Sequence, residues 1–296
     1  MWKEKFTDYL RYEKNYSSQT EISYLIDLTQ FEDFIVKETG SFIPSEIDND
    51  IIRIWMSSLM EQGMKPSTVN RKLSSLKTFF NYLERKEVIT KNPAKLIAGL
   101  KTPKKLPVFV NDRDMTKILD NPDNYSDDFK GCRDRFLIEL LYVTGMRRAE
   151  VISLKDNDID LNTCNIRVTG KGNKQRFIPF SDDTKKKFLQ YIDVRDSEIK
   201  NKSPFLFVKE DGEPLNPILV YNIIRYHLNE VPTLSKKSPH VIRHSFATEM
   251  MNNGAEINAV KELLGHVSLS STEIYTHVTF EEMKKTYQKA HPRANK

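Results

Sequence analysis

The stretch ELLGHVSLSSTEIYTHV, residues 262–278, brings His266, Tyr275 and His277 into one short span and raises three chemistries: metal ligation, proton transfer and nucleophilic attack. A zinc site needs three or four converging ligands, commonly helical His pairs with a carboxylate, or paired cysteines. His266 and His277 stand eleven residues apart with no cysteine near them, so the metal reading fails. Phosphoryl transfer without a metal has other requirements. The nonbridging oxygens gain negative charge in the transition state, and guanidiniums, always charged and able to donate to two oxygens at once, are the best fixed response. Arg147 lies just past Gly145, at the start of a helix whose first amides also favour an anion. Arg243, in SPHVIRHS, shares a helix face with His240 three residues before it. Lys171 sits at the tip of GKGN, where glycines permit a tight turn. A lysine there can hand a proton to a leaving oxygen, which an arginine does not readily do. Tyr275 is then the candidate nucleophile, since a phenol with a pKa of about 10 needs a proton acceptor or cationic surroundings, and His240, His266 and two arginines supply both. Each residue alone also has an ordinary structural reading: a surface arginine, a solvated turn lysine, an exposed tyrosine.

Such residues need elements to hold them. In the first hundred residues the pattern is helical. Ile22, Leu25, Leu28, Phe31 and Ile35 recur at steps of three and four, and after the start signal Pro66-Ser67 the series Val69, Leu73, Leu76, Phe80 and Leu83 does the same. Arg71, Lys72, Ser75 and Thr78 fall off that apolar series, on the other side, and are of the types that contact phosphates. NPAKLIAGLKTPKKLPVFV reads as a short helix running into a Pro- and Lys-rich linker at residues 101–108. Beyond it the pattern is mixed. RDRFLIELLYVTGMRRAEVISL gives two helices broken at Gly145, and Cys164–Thr169 and Lys174–Phe180 are two β runs around Gly170–Asn173, a hairpin signal. Helices follow around 182–195, 216–229, 240–253, 256–265, 269–276 and 280–290. The expected fold is mainly α, with a small antiparallel β-sheet in the second domain.

Composition bounds the function classes. With 296 residues, 39% hydrophobic and 29% charged, the chain accommodates two globular domains. No apolar run reaches the roughly 18 residues of a membrane span, and the charged start carries no secretion signal, so a cytoplasmic protein without membrane contact is expected. Cys132 and Cys164 form no CxxC pair and read as reduced packing residues. Charge is uneven: residues 1–60 carry six Lys and Arg against eleven Asp and Glu, whereas residues 61–110 carry eleven against three. A basic block of this kind suggests a polyanion such as nucleic acid.

Taken in order, Arg147, Lys171, His240, Arg243, His266 and Tyr275 resemble the catalytic set of the tyrosine site-specific recombinases. The contexts agree. LLYVTGMRRAEVISL resembles the first-arginine motif, including Glu150; VTGKGNKQRFIP resembles the hairpin-lysine motif; and SPHVIRHS through EIYTHV resembles the His-x-x-Arg, Leu-Leu-Gly-His and tyrosine motifs, with the nine-residue step from His266 to Tyr275. PSTVNRKLSSLKTFFNYL resembles the core-binding domain, so the likeness spans essentially the whole chain and is nearest the short Xer or simple-integrase type. Arg148, where a small apolar residue is usual, and Gln175, where Glu is frequent, are departures outside the catalytic positions.

The resemblance implies a helical core-binding domain over 1–100 and a mixed catalytic domain over 109–296, closing around duplex DNA that carries specific recombination sites. It implies a 3′-phosphotyrosine intermediate, a homo- or hetero-tetramer that passes through a Holliday junction, and neither metal nor cofactor. Arg147 and Arg243 would hold nonbridging oxygens with Glu150 in support, His240 and His266 would assist proton transfer and oxygen binding, and Lys171 would protonate the leaving 5′-oxygen. The last helix, FEEMKKTYQKAHP, would dock on a neighbouring protomer, and His277 would be structural. Dimer resolution, integration or excision of a mobile element, and inversion all fit. Two rivals are a type IB topoisomerase, which relaxes DNA without site preference, and a non-cleaving DNA-binding regulator, which would have lost a catalytic residue.

Overall fold

The computed structural model describes residues 2–103, 107–170, 174–201, 203–265 and 280–294, and the chain divides into two compact units, Met1–Lys105 and Leu106–Lys296. In the first unit lie α1 (Trp2–Asp8), continued by a π-helical turn at Tyr9–Glu13, then α2 (Ser18–Thr39), α3 (Asn49–Glu61) and α4 (Pro66–Arg85). Ser17 caps α2 by accepting from the Thr20 amide, Asp48 caps α3 by accepting from the Asp50 and Ile51 amides, and Pro66 opens α4, where its missing N–H has no partner to lose. Val69, Leu73, Leu76, Phe80 and Leu83 are all buried, as their spacing predicts, in one core with Phe31 and Ile35 of α2 and Ile52, Trp55 and Leu59 of α3. Phe31 and Trp55 meet edge to face at 4.9 Å.

The polar side of this unit departs from expectation. On α2, Ile22 is 51% exposed, while Glu21 and Asp27 are buried. On α4, Lys72 and Ser75 are buried rather than on a DNA-facing side. The cause is that both α2 and α3 pack on α4, which widens its buried arc. At 100° per residue, Lys72 lies only about 60° from the centre of the apolar face. There its Nζ donates to Asp27 Oδ1 at 2.9 Å and also to Gln30, while Arg71 Nη2 donates to the same Asp27 oxygen at 2.8 Å. A buried carboxylate left without cations would cost several kcal/mol, so Lys72 is committed to Asp27. Ser75 Oγ donates to the Lys72 carbonyl at 2.7 Å. Arg71 stays exposed and Thr78 half-buried. Residues 93–96 form turns, not the expected short helix, because Asn92 Oδ1 accepts from the Ala94 amide and its Nδ2 donates to the Lys77 carbonyl.

The second unit contains α5 (Asp112–Asp120), α6 (Phe129–Thr144), α7 (Arg148–Ser153), β1 (Ile159–Asp160), β2 (Asn165–Thr169), β3 (Gln175–Pro179), α8 (Asp182–Glu198), α9 (Pro217–His227), α10 (Pro239–Asn252), α11 (Ile257–Leu264) and α12 (Phe280–Ala290). The short α5 and β1 are additions to the sequence reading. The sheet is antiparallel in the order β1-β2-β3, with Ile166 opposite Ile178 and Val168 opposite Arg176. The expected 269–276 helix lies outside the described residues. Met283, Tyr287 and Ala290 of α12 are buried against the chain's own core, where α12 packs on α10, α11 and β3. At the end of α12 the Tyr287 ring stacks on that of His291, just past the helix, at 5.3 Å, and the buried Arg293 reaches Glu139 at 3.3 Å and also Asp120. No described helix is long and apolar enough to cross a membrane.

Candidate active site

The site begins at a turn. Helix α6 ends at Gly145, whose φ of +60° is left-handed, and an added Cβ would lie 2.5 Å from Phe246 Cδ1 and 2.9 Å from Leu264 Cδ2. Only glycine fits both the backbone and the space. The sharp turn it permits places Arg147, extended at φ −74° and ψ 149°, at the cap position of α7. Its own amide donates to Glu150 Oε2 at 2.7 Å and its Nη1 to Glu150 Oε1 at 2.9 Å. The negative partner expected at this helix start is thus supplied from inside the chain, by a carboxylate three residues on.

Glu150 is only 6% exposed and is shared. Arg176, on β3, donates from Nη1 to Oε1 and from Nη2 to Oε2, both at 2.9 Å, a bidentate pair. Burial pushes the Glu150 carboxyl upward, but its bonds from Arg176 and Arg147 outweigh that and hold it below the usual carboxylate range. The sequence reading missed Arg176. Its signal was available: in a period-two strand Arg176 shares a face with the buried Ile178, and it stands opposite the buried Val168. A charge at an inward position needs a buried partner.

Arg243 comes from α10, a helix whose Val241, Ile242, Ser245 and Phe246 are buried around it. Its Nη1 donates to the Gly145 carbonyl and its Nη2 to the Leu264 carbonyl, each at 2.6 Å. Burial first, then the charge of Arg147, lowers its pKa to about 10, which still leaves it protonated at neutral pH. The end of α11 collects all three guanidiniums. Arg176 Nε donates to the Leu263 carbonyl at 2.8 Å, Arg243 to Leu264, and Arg147 Nη2 to Gly265 at 3.3 Å. Helix C-terminal carbonyls have no partners within the helix and carry partial negative charge, so cations are favoured there. His240, in the first turn of α10, is exposed, and its pKa is lowered by partial burial and by Lys236, Arg148, Arg243 and Arg147. A neutral imidazole among cations is suited to accept a proton.

The structure therefore brings Arg147, Glu150, His240 and Arg243 into one cluster. Lys171, His266, Tyr275 and His277 lie outside the described residues. Of these, Lys171 and His266 directly follow described residues that reach the cluster: an added Cβ on Gly170 would sit 3.8 Å from Glu150 Oε1, and the Gly265 carbonyl accepts the Arg147 bond. Arg71 and Thr78 belong to the first unit. Of the two departures from the family pattern, Arg148 donates from Nη1 to the Pro217 carbonyl at 3.2 Å, joining α7 to α9, and Gln175 is exposed at the start of β3. Chemically, two guanidiniums, those of Arg147 and Arg176, hold one carboxylate, a third, that of Arg243, is anchored on the Gly145 and Leu264 carbonyls, and 39% of the Arg147 side chain is open to solvent, so the cluster can accept a further anion.

Comparison with known proteins agrees with this geometry. Residues 109–282 match the phage integrase family, and residues 4–87 match the phage integrase N-terminal SAM-like domain. Tyrosine recombinase XerC of Chlorobaculum parvum (strain DSM 263 / NCIMB 8327) is 34% identical over 99% of this chain and 95% of its own length. Tyrosine recombinase XerC of Bacillus subtilis (strain 168) is 36% identical over 98% and 96%. Among solved structures, the XerH site-specific recombinase bound to a palindromic difH substrate after cleavage aligns over 96% of this chain and 83% of its own, with a TM-score of 0.74 and 25% identity. A family match over more than half of the chain and full-length relatives above 30% identity lead to one assignment: this chain belongs to the phage integrase family of tyrosine recombinases.

Proposed function

We propose that this chain breaks and rejoins DNA strands at specific sites, with Tyr275 as nucleophile. The Tyr275 oxygen attacks the scissile phosphorus and forms a 3′-phosphotyrosine bond, while the bond from phosphorus to the 5′-oxygen breaks. The phenolic proton passes to His240 or His266, and Lys171 supplies a proton to the leaving 5′-oxygen. Arg147 and Arg243 bind the nonbridging oxygens, and Glu150 orients Arg147. A 5′-hydroxyl of the partner strand then attacks the phosphotyrosine. The bond energy is conserved, so the cycle needs neither a nucleotide nor a metal. Strands are exchanged in pairs by a tetramer on two sites. Residues 1–100 and 109–296, joined by 101–108, each hold duplex DNA, with Arg71 and Thr78 on phosphates.

The observation that carries this reading is the cluster of three guanidiniums gathered at the end of α11, two of them on Glu150, which Gly170 and Gly265, the residues before Lys171 and His266, both reach. The test uses a nicked suicide duplex bearing the cognate site and a denaturing gel. Wild type gives a covalent protein–DNA adduct and Tyr275→Phe gives none. An adduct with the Phe variant, or none with wild type, removes the proposal. Relaxation of plasmids lacking any site would instead favour a topoisomerase.

A further inference from the structure

We propose that Arg176 is a positioning residue for cleavage, setting the Arg147 guanidinium against the scissile phosphate by fixing Glu150 on its far side. The inference deepens the proposed function and rests on it.

Among the described residues, the two oxygens of Glu150 accept from four donors: the Arg147 amide, Arg147 Nη1, and Arg176 Nη1 and Nη2. Arg147 alone cannot define the orientation of the carboxylate. Its two bonds come from one flexible side chain and one amide of the same short turn, and its side chain is 39% exposed. Arg176 is different in kind. Its side chain is 13% exposed, its Nε is anchored on the Leu263 carbonyl at 2.8 Å, and both terminal nitrogens face the two carboxylate oxygens at 2.9 Å. A planar guanidinium held at three points is a rigid plate, and a carboxylate docked on it has its plane fixed. Glu150 passes that orientation to Arg147 Nη1. The strand register puts Arg176 at this point, because its place opposite Val168 turns it inward.

The same residue ties three elements together. Through β3 it belongs to the hairpin that carries Lys171, through Glu150 to the turn that carries Arg147, and through Leu263 to the end of α11, two residues before Gly265. Two routes of action follow, and they are chemically separable. If Arg176 acts through Arg147, its loss weakens stabilisation of the charge on one nonbridging oxygen. If it acts through the hairpin, its loss weakens protonation of the leaving 5′-oxygen. The geometry favours the first, since both terminal nitrogens of Arg176 are engaged by Glu150.

The experiment is single-turnover cleavage by the full chain on a suicide duplex, with Arg176→Lys compared against wild type. Lysine keeps the charge but cannot bind both oxygens and Leu263 at once. A misplacement of about 1 Å at a reacting group costs on the order of a hundredfold in rate, and that loss is expected here with DNA binding within threefold of wild type. Substrates carrying a methylphosphonate at the scissile position remove the charge from one nonbridging oxygen, one diastereomer for each. The Arg176→Lys penalty should shrink to less than tenfold on the diastereomer that also relieves Arg147→Ala, and remain on the other. A folding defect would slow both diastereomers alike. Glu150→Gln, which weakens the junction from its other side, should show the same preference and serves if Arg176→Lys does not fold. Equal penalties on both diastereomers, or relief instead by a bridging 5′-sulfur leaving group that needs no proton, overturns the inference while the proposed function stands. No cleavage by wild type overturns both.

Discussion

Gly145→Ala separates backbone strain from crowding in a way the structure allows to be worked out beforehand. At Gly145, φ is +60°, and an alanine Cβ would stand 2.5 Å from Phe246 Cδ1 and 2.9 Å from Leu264 Cδ2, well inside contact distance. At Gly254, in the same unit, φ is +85° and no atom lies within 4 Å of the added Cβ. Gly254→Ala therefore carries only the left-handed backbone cost, about 1 kcal/mol. Gly145→Ala carries that cost together with about 1–3 kcal/mol for forcing a methyl into a packed core, roughly 2–4 kcal/mol in total. For a unit of this size 1 kcal/mol is worth about 2–4 °C, so the expected drop is roughly 5–15 °C for Gly145→Ala and about 2–4 °C for Gly254→Ala. The assay has an internal control. Both tryptophans, Trp2 and Trp55, belong to the first unit, so tryptophan fluorescence follows that unit while far-ultraviolet circular dichroism follows both. The fluorescence transition should stay in place and the second-unit transition should move. If Gly145→Ala proves no more costly than Gly254→Ala, the steric argument for this turn is wrong.

Other expectations concern charge. Asp27→Ala leaves Lys72 buried without its counter-ion and should destabilise the first unit by about 3–5 kcal/mol, read by Trp55 fluorescence in urea. Lys72→Met should leave the salt dependence of DNA binding unchanged, whereas Arg71→Ala should reduce the slope of log K against log salt by about 1. Acid should weaken the second unit specifically. His291 and His227 are held neutral by burial, with pKa values lowered to about 3 and about 4, so below the unfolded value of about 6.5 the unfolded chain binds more protons. Stability is then lost as pH falls from about 6.5 toward 4, by about 1.4 kcal/mol per pH unit for each histidine, and His291→Phe should remove one such contribution from the slope. Glu150 adds a loss at lower pH. Its depressed pKa means its stabilisation is present above the unfolded carboxyl value of about 4.3 and disappears as pH drops through the folded value. The first unit, which contains no histidine, should show no such slope between pH 6.5 and 4.

Apolar spacing read the helices well where one face is buried and one is wet. It predicted α4 from Val69 to Leu83, and period-two runs predicted the two strands of the β hairpin. It failed where a helix is enclosed on two sides or where a buried charge replaces an apolar residue. Asp27 and Glu21 break the α2 pattern, and Lys72 looked like a surface lysine because its partner sits 45 residues away in sequence. The same blind spot hid Arg176. Its partner Glu150 is 26 residues upstream, and only the period-two register of β3 shows that it faces inward. Gly145, Arg147, His240 and Arg243 were legible because local constraints mark them: a turn that needs glycine, a helix start, and a shared helical face.

The way the guanidiniums are held bears on how the cluster would treat a phosphate. Arg243 and Arg147 each donate to neutral carbonyls at the end of α11, and only Glu150 among the acceptors named in this cluster carries full charge. A carbonyl satisfies a donor's geometry without neutralising its charge, so these bonds position the guanidiniums and leave their charge in place. A carboxylate on each would fix them equally well and cancel the field that an incoming phosphate needs. Placing the Glu150 carboxylate against Arg147, shared with Arg176, leaves the exposed part of the Arg147 guanidinium for an incoming anion. The lowered pKa of Arg243 follows from the same arrangement, since burial first and then the charge of Arg147 destabilise its charged form. An anion bound between Arg147 and Arg243 would reverse that shift, and the repulsion between the two cations would become part of its binding affinity.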